Sequence, residues 1–259
     1  MSEIDSRAIV SASARIGHGS KIGPFAVVGD DVELGDGSIL DHHAVVHGPA
    51  AIGKQNHFYS FCAVGCDPQD LTFQDERVSL EVGDGNDFRE FCTVSRGTKK
   101  GGGVTRVGSE NLIMAYAHIG HDCQVGSHTI FVNGATLAGH VTVEDYATIG
   151  NFSPVQQFCR IGQHAYIGAH TVITQDVPPF SKIVSPRDTR CYGVNSVGLS
   201  RHGFSAERIE AIEKAYRFLI RSKLNTTQAV EKMRGTLSQS EDVLSLIRFI
   251  ESAERGLTK

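Results

Sequence analysis

The sequence has little of what marks several common classes of protein. Tryptophan is absent, aromatic residues make up 7% of the 259 residues, and the formal net charge is -4. Bulk charge of this sign does not attract nucleic acid. No apolar run approaches the ~18 residues of a membrane helix, and the N-terminus lacks the pattern of a signal peptide. We therefore expect a soluble cytoplasmic protein with no nucleic-acid partner and no stable membrane insertion.

Cysteine is present, but without the setting of a disulfide framework. The six cysteines are Cys62, Cys66, Cys92, Cys123, Cys159 and Cys191. In a chain of this length without a secretion signal, free thiols are the expected state.

Glycine is abundant, with 28 residues, and it belongs to a repeat of six. Apolar residues recur at every sixth position from Ile4 to Val64, resume in phase at Val82, and run with a shift of one from Val107 to Ile173. Glycine often follows the apolar residue, where it tolerates a bent backbone. This hexapeptide pattern predicts a mainly β protein, a parallel β-helix over residues 1–180. Its roughly 8.7 coils of 18 residues would be about 40 Å long. The period does not determine handedness.

Two loops interrupt the repeat, near residues 66–81 and 95–106, and loops within a solenoid tend to lie on a binding face. The Gly101–Gly103 run is a weak phosphate-loop signal, and a plain flexible loop is the favoured interpretation. We expect an irregular linker over 181–203 and a helical domain over 204–259. Its expected helix signals are Ser205, Asn225 or Thr226, and Ser240 as N-caps, with Gly256 past the last helix. Whether this tail caps the prism or assembles subunits is open.

Polar residues gather in the stretch AHIGHDCQVGSHT, residues 117–129. The repeat register points Cys123 into the core and places His118, His121 and Asp122 on the outer surface. A His–Cys zinc site would need a ligand to cross the wall, so we expect no metal. Gly139 and His140 lie one coil further along the prism. Gly139 is expected ~4.8 Å from His121, and His140 at the same distance from Asp122.

This cluster has the groups that acyl transfer requires. A histidine can take a proton from an alcohol near neutral pH, and a carboxylate can hold its tautomer. A bare glycine N–H can bind an oxyanion. We therefore predict His121 as general base, Asp122 as its partner and Gly139 as oxyanion donor. No serine or cysteine nucleophile is in the cluster, which favours direct attack over a covalent acyl-enzyme. The competing interpretation is a set of solvated exterior side chains.

Several segments together resemble a known family. They are QDL (69–71), RGT (96–98), GGG (101–103), AHIGHDCQVG (117–126), NGATLAGHV (133–141), QFC (157–159), QDVPP (175–179), GVN (193–195) and RHGF (201–204). The combination resembles the UDP-N-acetylglucosamine acyltransferases of lipid A biosynthesis, over essentially the whole chain. The resemblance implies a homotrimer of left-handed β-helices with sites between subunits. It implies transfer of a 3-hydroxyacyl chain from acyl carrier protein to the 3-position of UDP-GlcNAc. No cofactor is implied beyond the carrier thioester, which is a cosubstrate.

The resemblance also implies roles for residues outside the catalytic trio. His118 and His140 would position substrate, Asp70 would contact the sugar, and Asn195 and Arg201 would contact the nucleotide. Basic residues of the second loop would either meet the acidic carrier or form a solvated basic loop. They are Arg96, Lys99, Lys100 and Arg106.

The sequence departs from the family pattern at four positions. Thr72 stands at a lysine, Gln156 at a histidine, Val197 at a glutamate, and Ala169 at a glycine associated with acyl-chain length. Gln156 remains a predicted substrate contact, and Ala169 indicates an altered acyl-chain pocket. The first three leave two acceptors open: UDP-GlcNAc acylated on oxygen, or its 3-amino analogue acylated on nitrogen. A hexapeptide acyltransferase using acetyl-CoA and a metal-dependent β-helix carbonic anhydrase are the remaining alternatives.

Overall fold

A computed structural model describes residues 1–74, 76–184 and 190–258, which wind into a three-sided prism of parallel strands. Face 1, an 11-stranded sheet, consists of Glu3–Ile4, Lys21–Ile22, Ile39–Leu40, His57–Phe58, Asp87–Phe88, Leu112–Ile113, Ile130–Phe131, Thr148–Ile149, Tyr166–Ile167, Ser181–Ile183 and Cys191–Val194. Face 2, with 8 strands, consists of Ile9–Val10, Val27–Val28, Val45–Val46, Ala63–Cys66, Thr93–Ser95, His118–Ile119, Thr136–Leu137 and Pro154–Val155. Face 3, also with 8, consists of Arg15–Ile16, Val32–Leu34, Ala50–Ile52, Ser79–Val82, Val104–Val107, Gln124–Val125, Thr142–Val143 and Arg160–Ile161.

The strands pair in the register that the repeat predicts. Ile22 pairs with Leu40, 18 residues on. Across the first loop Phe58 pairs with Phe88, and across the second Phe88 pairs with Ile113. The strands Ser79–Val82 and Val104–Val107 occupy the ends of the predicted interruptions. The first loop is therefore residues 67–78 and the second is residues 96–103, both shorter than expected.

The prism interior is filled as the sequence indicates. Phe58 and Phe88 are fully buried, with stacked rings whose centroids lie 5.0 Å apart. The predicted core cysteines Cys62, Cys92, Cys123 and Cys159 are also fully buried. All six cysteines are free thiols, and burial raises the pKa of Cys123 to about 12. This confirms the structural role assigned to these cysteines.

Each prism edge turns through a residue with positive φ whose side chain points outward. Phe91 on the 1–2 edge, Asp122 on the 2–3 edge and Tyr146 on the 3–1 edge all have φ of 60°. This left-handed region is uncommon for residues other than glycine. Because consecutive coils repeat the turn, the edge residues stack into columns.

The C-terminal residues pack over one end of the prism. The linker predicted as irregular over 181–203 instead contains the strands Ser181–Ile183 and Cys191–Val194, paired antiparallel, and the helix α1, Ser196–Arg201. The remaining helices are α2 (Ala206–Tyr216), continued by a π-helical turn over Arg217–Arg221, α3 (Thr226–Leu237) and α4 (Glu241–Glu251). Ser205, Asn225 and Ser240 are confirmed as N-caps. Ser252 is the C-cap of α4, and Gly256 lies past the end of this helix, as predicted.

Contacts between the helices and the prism answer the question left open about the tail. The Tyr216 hydroxyl donates to the Pro179 carbonyl, and the Arg160 guanidinium lies 4.6 Å from the centre of the Phe249 ring. Leu199 and Ile212 belong to the same buried cluster as the prism interior. The tail therefore caps the prism. In the described part of the chain, no helix has the length and apolar character needed to cross a membrane.

Candidate active site

His121 and Asp122 lie where the chain turns from face 2 to face 3. His121 Nδ1 is 2.8 Å from Asp122 Oδ2. The Asp122 side chain is fully buried, while the His121 side chain is 16% exposed. A tautomer that donates from Nδ1 leaves Nε2 with a free lone pair. His121 is thus oriented to accept a proton through Nε2.

The burial of Asp122 corrects the expectation that its side chain lies on the outer surface. The second loop folds over it, and Thr98 donates its backbone N–H to Oδ1 (2.8 Å) and its hydroxyl to Oδ2 (2.7 Å). The Asp122 N–H donates to Thr105 Oγ1 at 2.8 Å. Gly101 packs so closely that a Cβ there would collide with the Asp122 carboxyl group. The glycine run is therefore a turn packed on a carboxylate rather than a phosphate loop.

Gly139 lies beside His121, as the coil spacing predicts. The His140 N–H donates to the His121 carbonyl at 2.9 Å, which fixes the neighbouring coil. A Cβ on Gly139 would lie 2.6 Å from His121 Nε2. Within the described residues, no acceptor is hydrogen-bonded to the Gly139 N–H. The base and a free backbone donor therefore share one small space.

Two further histidines flank this pair. His140 Nε2 is 3.7 Å from Asp122 Oδ2, and its ring stacks on Phe158 with centroids 4.6 Å apart. His118 Nδ1 is 2.7 Å from Thr93 Oγ1 on face 2. Burial, and to a lesser extent His121, lowers the pKa of His118. His118 is therefore neutral at pH 7 and suited to hydrogen bonding.

The two loops meet beside the histidines. Asp70 accepts hydrogen bonds from the Thr72 N–H (2.7 Å) and hydroxyl (2.9 Å). These bonds lower the pKa of Asp70, with smaller contributions from His121 and Lys100. Lys100 Nζ donates to Thr72 Oγ1 at 3.1 Å. Lys100 of the second loop thus brings a cation next to position 72, where the resemblance implies a lysine.

The expected four-residue basic patch is reduced to two residues. The Arg96 side chain is 13% exposed and binds Asp67 and the Gly48 carbonyl. Arg106 Nε donates to Glu81 Oε2 at 2.8 Å on face 3. Lys99 and Lys100 remain exposed at the mouth of the site.

The other predicted residues lie elsewhere on the chain. A cavity of about 740 Å³ over face 1 is lined by Ala169, Asn195, Arg201, Lys182, His164 and His202, among others. Neither His121 nor Gly139 lines it. Gln156 is exposed on the 2–3 edge, beyond Gly139. In a single chain, the predicted substrate residues therefore form two separate groups.

Sequence reasoning missed three contributors to these groups. Thr98 and Thr105 bind Asp122, and the only signal for Thr98 was its place in the RGT segment. Asn195 was not missed, but the structure gives it a second role beside the predicted nucleotide contact. It accepts a hydrogen bond from the Gly198 N–H (3.3 Å) and so caps α1. Lys182 carried no signal, because only the face 1 register places it over the cavity.

The cluster of His121, Asp122 and His140 has the composition of a metal site but not its hydrogen bonding. One ligand atom from each of His121, Asp122 and His140 lies within 4.8 Å of the others. Both Asp122 oxygens already accept hydrogen bonds from Thr98, and Oδ2 also faces His121. A carboxylate bound in this way favours proton transfer by His121 over metal binding.

Known proteins are similar to this sequence along its whole length. A profile described as Udp N-acetylglucosamine O-acyltransferase, domain 2, matches residues 176–258, and bacterial transferase hexapeptide repeats match 13–48 and 105–139. The acyl-(acyl-carrier-protein)–UDP-N-acetylglucosamine O-acyltransferase of Thermodesulfovibrio yellowstonii is 46% identical over 259 residues, 100% of both chains. That of Halorhodospira halophila is 48% identical, with the same coverage. The chain belongs to the UDP-N-acetylglucosamine O-acyltransferase family.

Solved members of the UDP-N-acetylglucosamine O-acyltransferase family have the same architecture. The Francisella novicida enzyme is 37% identical, with a TM-score of 0.95 over 98% of this chain and 93% of that one. The Arabidopsis enzyme is 31% identical, with a TM-score of 0.86 over 99% and 100%. The protein is an acyltransferase whose fold is a left-handed parallel β-helix with C-terminal helices, as the resemblance implied.

Proposed function

We propose that this chain transfers a 3-hydroxyacyl chain from acyl carrier protein to the 3-hydroxyl of UDP-GlcNAc, the first step of lipid A biosynthesis. One observation carries the proposal. His121 Nε2 faces Gly139 while its Nδ1 is held by the buried Asp122. The relatives named for this reaction match the chain from end to end.

The mechanism follows from these positions. His121 Nε2 takes the proton of the sugar hydroxyl as its oxygen attacks the thioester carbonyl carbon. The Gly139 N–H binds the resulting oxyanion, and Asp122 stabilises the imidazolium. The C–S bond then breaks, and the proton on His121 passes to the departing carrier thiolate. No step requires a metal or an acyl-enzyme.

Binding residues surround this centre in two parts. Asp70, His118, His140 and Gln156 would hold the sugar at the 2–3 edge. The cavity over face 1 would hold the nucleotide through Asn195 and Arg201 and the acyl chain beside Ala169. Among the described residues that line the cavity, none is acidic, and Lys182 and Arg201 are cations. This excess of positive over negative side chains suits the binding of a diphosphate.

The prism surface supports a homotrimer. The 1–2 edge exposes stacked rings that are 44–62% accessible, those of Phe25, Phe61, Phe91 and Tyr116. Face 2 beside it presents uncharged side chains such as Val27 and Val45. Face 3 instead carries the ion pairs Arg106–Glu81, Arg160–Glu144 and Arg15–Glu33. A contiguous apolar surface of this kind marks an interaction site.

A threefold axis along the 1–2 edge would cover that surface. Each copy's face 2 then packs against a neighbour's face 1 and closes a ring. At the outer end of this contact between faces, away from the axis, the His121 cluster of one copy would lie next to the face 1 cavity of the neighbouring copy. The assembly thus joins the two groups that a single chain keeps apart.

The carrier protein would approach the same opening. Lys99 and Lys100 are exposed beside the site, and acyl carrier protein is acidic, so charge complementarity would speed the encounter. We place the reaction in the cytoplasm, where the six cysteines stay reduced.

Mass spectrometry of products tests the proposal most directly. UDP-GlcNAc and its 3-amino analogue are each offered with a ladder of hydroxyacyl carrier proteins and with acetyl-CoA. The expected product is the ester of UDP-GlcNAc formed from one carrier-bound chain length. Transfer only to the amino analogue, or only from acetyl-CoA, would contradict it. A requirement for one metal ion per subunit would contradict the mechanism.

A further inference from the structure

The second loop is organised around the Asp122 carboxylate. The Thr98 N–H and hydroxyl donate to different Asp122 oxygens, at 2.8 and 2.7 Å, and the Asp122 side chain has no exposure. No other side chain in the described part of the chain donates a hydroxyl hydrogen bond to this carboxylate. The orientation of the carboxylate therefore depends on Thr98.

The loop closes into a turn that holds Thr98 in place. The Thr98 hydroxyl accepts from the Gly101 N–H at 3.2 Å, and its carbonyl accepts from the Gly101 and Gly103 N–H groups at 3.0 and 2.8 Å. Gly102 and Gly103 have φ of 96° and 85°. The backbone would be strained at these angles in any residue that carries a side chain. Gly101 leaves no room for a Cβ against Asp122. The three glycines therefore allow the tight turn that holds Thr98 against Asp122.

Two histidines compete for the same carboxylate oxygen. Asp122 Oδ2 lies 2.8 Å from His121 Nδ1 and 3.7 Å from His140 Nε2. A carboxylate free to rotate about its Cβ–Cγ bond could pair with either ring. The two Thr98 donors prevent that rotation, because each is fixed on a different oxygen.

We infer that Thr98 is a positioning residue for the reaction: its hydroxyl directs the Asp122 carboxylate to His121 rather than to His140. The inference rests on the proposed role of His121 as base. Thr98 does not touch substrate. It acts by keeping Asp122 oriented so that His121 retains the tautomer with Nε2 free.

The test compares Thr98→Val, which keeps the side-chain shape and loses the hydroxyl, with Thr98→Ser, which keeps the hydroxyl. Thr142→Val on face 3 is the matched control. We expect Thr98→Val to lower kcat by about 10- to 100-fold, the effect of losing a hydrogen bond to a charged group. The KM for UDP-GlcNAc should change less than about threefold, since the binding residues are untouched. The acid limb of kcat/KM should move to lower pH, because a carboxylate that has turned away from His121 stabilises the imidazolium less.

Thr98→Ser should restore kcat to within about threefold of wild type, since the donor is what matters. A Thr98→Val enzyme with wild-type kcat and pH profile would overturn the inference. So would a Thr98→Ser enzyme as slow as Thr98→Val, because packing of the methyl group would then be the cause. Circular dichroism and thermal melting confirm that each variant is folded.

Gly101→Ala gives a second way to move the turn without removing the hydroxyl. We expect a comparable loss of kcat and a double variant, Thr98→Val with Gly101→Ala, little worse than either single one. Residues that act through one group are non-additive. Fully additive losses would contradict a shared route through Asp122. An active His121→Ala enzyme would instead overturn the proposed base, so the two failures are distinguishable.

Discussion

Two edges of the prism have the same backbone turn but different surfaces. Phe91 on the 1–2 edge and Asp122 on the 2–3 edge both have φ of 60° and point outward. No loop covers Phe91, and its ring remains 44% exposed. The second loop folds over Asp122, and its carboxylate is buried with several hydrogen bonds. The repeat therefore supplies equivalent outward positions, and an inserted loop covers one of them and holds its carboxylate beside His121.

The columns along the two edges also differ in how rings are arranged. On the 1–2 edge Phe61, Phe91 and Tyr116 stack in parallel, with centroids 5.2 and 5.0 Å apart. On the 2–3 edge His140 stacks on Phe158 in the same way, with centroids 4.6 Å apart, but the next position of the column is Asp122, and the ring of the adjacent His121 is perpendicular to that of His140 at 5.1 Å. Glycine at 139 leaves the space into which His121 turns. Under the proposed function, the regular column would serve assembly and the interrupted one would serve catalysis.

Removal of the base should have the largest effect on the catalytic edge. We expect His121→Ala to lose about 10²- to 10⁴-fold in kcat, the contribution of a positioned general base. Steady-state assays with hydroxyacyl carrier protein measure it. Activity within about threefold of wild type would remove His121 from the mechanism, since even the weakest base contribution is larger.

Adding a side chain at position 139, beside His121, should also slow the reaction. We expect Gly139→Ala to lower kcat by about 10²- to 10³-fold, because the Cβ displaces the His121 ring and disturbs an oxyanion donor. Gly235→Ala in α3, where no atom lies within 4 Å of an added Cβ, is the control and should keep full activity. Equal rates for both variants would show that the space beside His121 does not matter.

Breaking the aromatic column should affect assembly rather than chemistry. We expect Phe61→Ser with Phe91→Ser to shift the proposed trimer towards monomers by about tenfold or more in dissociation constant, since two large rings lose their contact. Light scattering across a concentration series measures this, with Leu224→Ser in the helical tail as control. Dissociation of the control and not of the double variant would place the interface elsewhere.

The last expected effect leaves activity and assembly aside and concerns the 3–1 edge, where His164 stacks on Tyr146 at 4.6 Å. Burial, and secondarily His202, lowers the pKa of His164 to about 4. An unfolded histidine, with a pKa near 6.5, binds the proton first as the pH falls. The free energy of unfolding should therefore fall by up to about 3 kcal/mol between pH 6.5 and 4. Thermal melting of His164→Phe should show less of this loss, and an unchanged pH dependence would contradict the assignment.

The repeat alone predicted the features that depend on register. It predicted the inward cysteines and the neighbourhood of His121 and Gly139, since one coil step separates them. It did not predict the burial of Asp122, because that depends on how a non-periodic loop folds back. The strands within residues 181–203 were missed for a related reason: the last strand pairs antiparallel and leaves the period.

The proximity of His121 and Gly139 arises from one uninterrupted coil. Both loops are inserted before it, and pairing resumes in register after each of them. The first loop can therefore change in length and composition without moving His121 relative to Gly139, whereas the second loop is constrained because Thr98 and Gly101 pack on the Asp122 carboxylate. The coils thus determine where His121 and Gly139 lie, and the second loop determines how the Asp122 carboxylate is oriented beside them.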